Sequence, residues 1–197
     1  MPKSKVEVPK EIYQLKVTLL DTKPLIWRRL LVPADSTLEQ LHHVLQLAMS
    51  WEDYHLHEFE IGERRFGQPD PDDDVMGVEP LEDESKTRVF SVLGKVGAAA
   101  LYTYDFGDGW EHEIVVEKVL PPDPGLRYPV CVDGKFHGPP EDCGGIPGFY
   151  DFLKAISDPR HRRHKEMREW IGPNFDPEAF SIEDVNRRLA TLQRRRR

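Results

Sequence analysis

The chain has 197 residues, 39% of them hydrophobic, enough to build one domain with its own core. No apolar run approaches the ~20 residues that span a bilayer, and the opening MPKSKVEVPKE lacks the apolar stretch of a secretory signal, so a cytoplasmic protein without membrane contact is expected. The net charge of −8 is unevenly placed: Pro159 to Arg197 carries 11 Lys and Arg against 6 Asp and Glu, the remainder 16 against 29, so the Arg-rich C-terminal end could touch nucleic acid, but the acidic body favours reading it as a frayed, solvated tail.

Residues 1–10 read as a disordered leader, 11–192 as a single domain and 193–197 as an Arg-rich tail. Leu15, Val17 and Leu19 alternate with Lys16 and Thr18, which predicts a strand. Asp21-Thr22-Lys23-Pro24 makes a turn, and Ile26 to Val32 returns as a second strand. Ser36-Thr37-Leu38-Glu39 offers a capping box, and Leu38, Leu41, Leu45 and Ala48 follow at helical spacing, predicting a helix from Leu38 to Met49. His55 to Ile61 reads as a strand with His55, His57, Phe59 and Ile61 on one face.

Residues 69–84 hold eight acidic side chains and no basic one, a pattern expected of an exposed loop. Val89 to Val96 fits a short helix. Ala100 to Asp105 and Trp110 to Leu120 read as strands joined through Gly107-Asp108-Gly109, a strong hairpin signal, with Trp110, His112, Ile114 and Val116 on one face. Residues 121–148 form a Pro- and Gly-rich loop. Helices over Phe149–Ser157, Arg163–Trp170 and Ile182–Leu192 complete the chain, the last capped by Ser181. Strands first and helices last predict an α+β fold: a mainly antiparallel sheet, an early helix packed on it, and a C-terminal helical segment.

Two stretches carry more chemistry than folding requires. Tyr104-Asp105-Phe106-Gly107-Asp108-Gly109-Trp110-Glu111-His112 puts two carboxylates, a histidine and three aromatics around a tight turn. Pro139-Pro140-Glu141-Asp142-Cys143-Gly144-Gly145 follows, with glycines that permit close backbone approach. Together with Trp51, His55-Leu56, Phe59, Trp170 and Phe175-Asp176-Pro177, taken in order, these motifs resemble the plasmid pRiA4b Orf-three-like family over Ile12 to Leu189. The resemblance implies an α+β fold and no defined activity. It also implies a further cysteine just before the Pro-Pro-Glu-Asp-Cys run. Here that position is Gly138, so either His137 joins Cys131 and Cys143 in holding a divalent metal such as zinc, or the site is lost.

The resolvase-like label attached to such proteins finds no support in these residues. The early serine, Ser4, lies in the leader, and the last tyrosine, Tyr150, precedes the basic cluster Arg160 to His164. The catalytic candidates are Asp105, Asp108 and His112, as metal ligands or as acid and base. Their alternative roles are turn-amide acceptors for the carboxylates and a core position for the histidine. His55, Trp110, Glu141 and Asp142 are the binding candidates. The four tryptophans, Trp27, Trp51, Trp110 and Trp170, read as core anchors. The expected function is a non-enzymatic binding module for a protein or small-molecule ligand. The alternative is a metal-dependent phosphoester hydrolase.

Overall fold

The computed structural model describes residues 10–69 and 80–195, and side chains up to residue 193. Residues 1–9, most of the acidic loop and the last two arginines lie outside the described residues. In chain order the elements are β1 (Ile12–Leu19), β2 (Ile26–Pro33), α1 (Leu38–Met49), β3 (His57–Ile61), β4 (Arg64–Gly67), β5 (Glu82–Asp83), α2 (Val89–Val92), β6 (Ala99–Tyr104), β7 (Trp110–Leu120), β8 (Val130–Lys135), α3 (Gly145–Ser157), α4 (His164–Ile171) and α5 (Ile182–Arg195). The strands form one sheet in the order β5-β4-β3-β6-β7-β1-β2-β8, antiparallel except for β4 with β5. The α+β class holds, with the early helix and the C-terminal helices as expected.

Register decides what the sheet presents. Leu15 pairs with Leu30 and Val116, Val17 with Arg28 and Ile114, and Leu19 with Ile26 and His112. Tyr102 sits between His112 and Phe59, and Phe59 in turn faces Phe66. Side chains alternate along a strand, so all of these share one face. That face is buried under Leu38, Leu41, Leu45 and Ala48 of α1 and Phe149, Phe152, Val185 and Leu189 of the later helices. The opposite face is polar: Arg29 bridges Glu117 at 2.7 Å and Asp133 at 2.8 Å, and Gln14 donates to Glu117. An antiparallel sheet with one wet face needs this alternation.

Arg28 is the exception on the inner face. Its guanidinium donates to the carbonyls of Ala48 (2.9 Å), Trp27 (2.8 Å) and Lys135 (3.0 Å) and stacks on Phe180. Arg188 of α5 donates to Leu47 at 3.1 Å. Two arginines therefore meet the last carbonyls of α1, where partial negative charge gathers.

Several boundaries differ from the sequence reading. The capping box of α1 is built one residue later, with Thr37 Oγ1 accepting from Gln40 N and Gln40 Oε1 from Thr37 N. Ser36 instead closes the preceding turn, its N–H bonded to Pro33 O. β3 begins at His57, leaving His55 in the loop before it. The Pro- and Gly-rich stretch contains edge strand β8, whose Gly134 packs against the Phe180 ring and Trp27 O. α3 starts at Gly145, earlier than the apolar pattern showed, because Gly144 and Gly145 take left-handed backbone angles that turn the chain into the helix. Of the four tryptophans, Trp51 and Trp110 are buried. Trp170 is half exposed, and Trp27 lies on the outer face between Lys16 and Arg29.

Candidate functional site

The β6–β7 turn is closed from within. Asp105 takes a left-handed angle, φ +56°, and its Oδ1 accepts the N–H of Gly107 at 2.9 Å and of Asp108 at 3.3 Å. Its own carbonyl accepts from Gly109 N. This is the turn-forming behaviour of Asp next to glycine. The second motif then docks on that turn. Asp108 Oδ2 accepts Gly144 N–H at 3.1 Å. Gly145 lies so close to the Asp108 carbonyl that a Cβ would overlap it.

The same loop is fastened to the segment after α1. Trp51 Nε1 donates to Pro139 O at 2.8 Å. Glu141 accepts from the Tyr104 hydroxyl and from Glu52 N–H at 3.1 Å. Gly138 abuts the Met49 carbonyl oxygen, with no room for any side chain at that position. The two dense motifs thus meet, and three backbones converge.

Beside the fastening stand half-buried His55, buried Asp105 and exposed Asp142. His55 Nε2 lies 3.0 Å from Asp142 Oδ1 and 3.6 Å from Asp105 Oδ2, yet makes no aligned hydrogen bond. One donor atom from each residue lies within 4.8 Å of the other two. Asp142, like Asp105, holds φ +56°, a conformation that side chains other than glycine adopt with strain. Its side chain is 68% exposed, so the cluster opens to solvent on that side. Tyr54, Leu56 and Phe106 flank it at 71%, 67% and 53% exposure. One imidazole and two carboxylates from three separate segments thus bring together donor types that could hold a divalent cation.

The other predicted residues have different places. His112 does not join Asp105 and Asp108. It is fully buried on the inner sheet face, its Nδ1 near the carbonyls of Trp110 (3.1 Å) and Tyr102 (3.4 Å) and its ring edge-on to Trp51. Burial pushes it down to about 4, so it stays neutral at ordinary pH. Trp110 is fully buried beside Phe149 and forms the floor beneath the turn. Asp108 and Glu141 use their carboxylates on the fastening just described.

Cys131, His137 and Cys143 are not brought together as ligands. The Cys131 thiol donates to Asp133 O at 3.3 Å, and burial raises it. His137 Nδ1 is bonded to Gly138 O at 2.7 Å, with its ring edge-on to Phe175. Cys143 is pushed up to about 12, by burial first and then by Asp108, which disfavours the thiolate a metal needs. Among the described residues the clusters of three or more ligand-type side chains are His55/Asp105/Asp142 and His42/His43/Asp53.

The second of these clusters, with its neighbours in the core, went unnoticed in the sequence. His42 and His57 stack with ring centroids 3.5 Å apart and 6° between planes. His57 Nε2 meets Glu84 Oε2 at 2.9 Å, and His42 Nε2 meets Asp53 Oδ1 at 2.8 Å. His42 Nδ1 lies 2.8 Å from the Tyr102 hydroxyl, which accepts from Gln46 Nε2 at 3.0 Å. Donation to an ionised Asp53 fixes the proton on His42 Nε2, so its Nδ1 accepts from Tyr102. Burial, reinforced by His57 and His43, takes the His42 imidazole down to about 2. The available signal was the spacing of His42 and Gln46, four apart and next to the apolar positions of α1.

Comparisons with known proteins find a family and similar chains. The sequence profile of a family described as Plasmid pRiA4b ORF-3-like protein matches residues 11–184. The chain is 39% identical over 183 residues to an uncharacterised protein, y4hQ, of Sinorhizobium fredii (strain NBRC 101917 / NGR234), covering 92% of each. It is also similar to the crystal structure of MM3350, a protein of unknown function from Methanosarcina mazei Go1. That likeness has a TM-score of 0.80 at 38% identity and covers 90% of this chain and 97% of the other.

Proposed function

The chain belongs to the plasmid pRiA4b ORF-3-like family, and we propose that it is a binding module whose recognition centre is a divalent cation held by His55, Asp105 and Asp142. The observation that carries this reading is His55 Nε2, enclosed between two carboxylates at 3.0 and 3.6 Å without an aligned hydrogen bond. A cation between these groups would give the nitrogen lone pair a partner and offset the mutual repulsion of the carboxylates. Tyr54, Leu56 and Phe106 supply an apolar rim against which a protein or small-molecule ligand would pack around the ion. We place the protein in the cytoplasm, a compartment suited to its two free thiols.

Zinc titration followed by calorimetry tests the centre. We expect the H55A/D142A double variant to lose one equivalent of bound Zn2+ with its unfolding midpoint unchanged. Wild-type stoichiometry in that variant would reject the assignment.

The open side at Asp142 also favours a second reading, a metal-dependent phosphoester hydrolase in which the cation activates water. It requires turnover of an activated phosphodiester that Asp105→Asn reduces by orders of magnitude. Absence of such turnover with metal bound leaves the binding module alone.

A further inference from the structure

His42 and His43 are adjacent in α1, so one faces the core and the other the surface: His42 is 2% exposed, while the His43 side chain is 41% exposed. Asp53, in the segment after α1, reaches both. Its Oδ1 lies 2.8 Å from His42 Nε2 and its Oδ2 3.5 Å from His43 Nδ1. Donor atoms of all three fall within 4.8 Å of one another. Asp53 takes this position from a left-handed backbone, φ +65°.

The inner half of the arrangement is already organised as ligating histidines require. A metal-bound imidazole ordinarily has its second nitrogen held by an outer partner that fixes ring and tautomer. Here Tyr102 holds His42 Nδ1, and the His57 ring stacks on the imidazole face. The hydrogen-bond chain can also run in the direction ligation needs. Without metal, Gln46 Nε2 donates to Tyr102, Tyr102 to His42 Nδ1, and His42 Nε2–H to Asp53. Gln46 Oε1 has no partner, so nothing pins that amide in its present orientation. With the amide reversed, Tyr102 donates to Gln46 Oε1 and accepts from His42 Nδ1–H, and the His42 Nε2 lone pair faces Asp53 and His43. His43 also lines an open cleft of about 310 Å³ between α1, β2 and Tyr128-Pro129, which gives one side of the cluster contact with solvent.

We propose that His42, His43 and Asp53 form a second divalent-cation site, independent of the first, with two nitrogens and one oxygen as its protein ligands. That set suits zinc, whereas the oxygen-rich first site is the harder of the two. Nothing in the proposal depends on His55 or Asp142.

The test uses the full chain and Zn2+ alone, in calorimetry, with folding checked by circular dichroism. In the H55A/D142A background one equivalent of Zn2+ should remain, and adding the surface substitution His43→Ala should remove it. In the otherwise wild-type chain, His43→Ala should leave the first site's equivalent intact, so failure of one site is distinguishable from failure of the other. Tyr102→Phe, which removes the hydroxyl holding His42 Nδ1, should weaken the remaining equivalent by roughly 10–100-fold without changing the stoichiometry. No Zn2+ bound in the H55A/D142A chain, or an equivalent that survives His43→Ala, overturns the proposal.

Discussion

Around Asp105 and Asp142, an imidazole and two carboxylates meet at the tips of loops. Around His42 and His57, two imidazoles and two carboxylates meet against the sheet. The residue types are the same, but the supports differ. The loop cluster is positioned by backbone: Gly138 against Met49 O, Gly145 against Asp108 O, and left-handed angles at Asp105 and Asp142. The stack is positioned by packing and register, with Tyr102 of β6 and His57 of β3 aimed at one face of α1. Substitutions at the loop glycines should therefore act through chain geometry, and changes in the stack through the protonation of buried groups.

The largest effect should come from the backbone side. Gly138→Ala places a Cβ against the Met49 carbonyl, where the opposing atom is main chain at the end of α1 and has little room to yield. We expect a loss of about 3–4 kcal/mol in urea unfolding, together with loss of zinc binding at the proposed His55 centre, since both depend on the same fastening. A loss under about 0.5 kcal/mol, the range of ordinary surface changes, would show that the loops are not held as described.

The core side should respond to pH. His42 and His112 titrate near 2 and 4 in the folded chain against 6.5 unfolded, with burial the main cause for both. Below pH 6.5 the unfolded chain takes up protons that the folded chain refuses, so stability is complete above that value and falls as pH falls. One unit below it, at about pH 5.5, the two imidazoles together should cost about 2–3 kcal/mol. The His112→Asn variant should show about half the slope between pH 6.5 and 4. An unchanged slope would assign the acid sensitivity to other groups.

This contrast also explains what the sequence made legible. α1 was readable to the residue, and so was β7, because apolar spacing and alternation are local signals. The two dense motifs stood out in the sequence, and they do converge. Their partition of roles was not readable. Asp108 and Glu141 fasten loops while Asp105 and Asp142 face His55, a distinction set by which backbones approach across the fold. Edge strand β8 was hidden in a Pro- and Gly-rich stretch, because its pairing with β2 is non-local. The stack escaped because its members come from α1, β3, β6 and the segments after α1 and β5, and its Tyr102 and Glu84 lie far along the chain from His42 and His57.

The smallest effect on stability should fall at Asp142, where it separates the two kinds of support most sharply. Asp142 is 68% exposed and holds φ +56° without any hydrogen bond to its side chain among those that fasten the loop. Glycine adopts that angle freely, so Asp142→Gly should leave stability unchanged or raise it by about 0.5 kcal/mol, while abolishing zinc binding at the proposed His55 centre. Thermal unfolding and zinc titration of this one variant then read opposite signs: a fold unharmed and a site lost. A loss of more than about 1 kcal/mol would mean instead that the contact with His55 holds the loop in place. In that case the strained aspartate would serve the fold, and the cluster around it would owe its geometry to the same fastening that Asp108 and Glu141 provide.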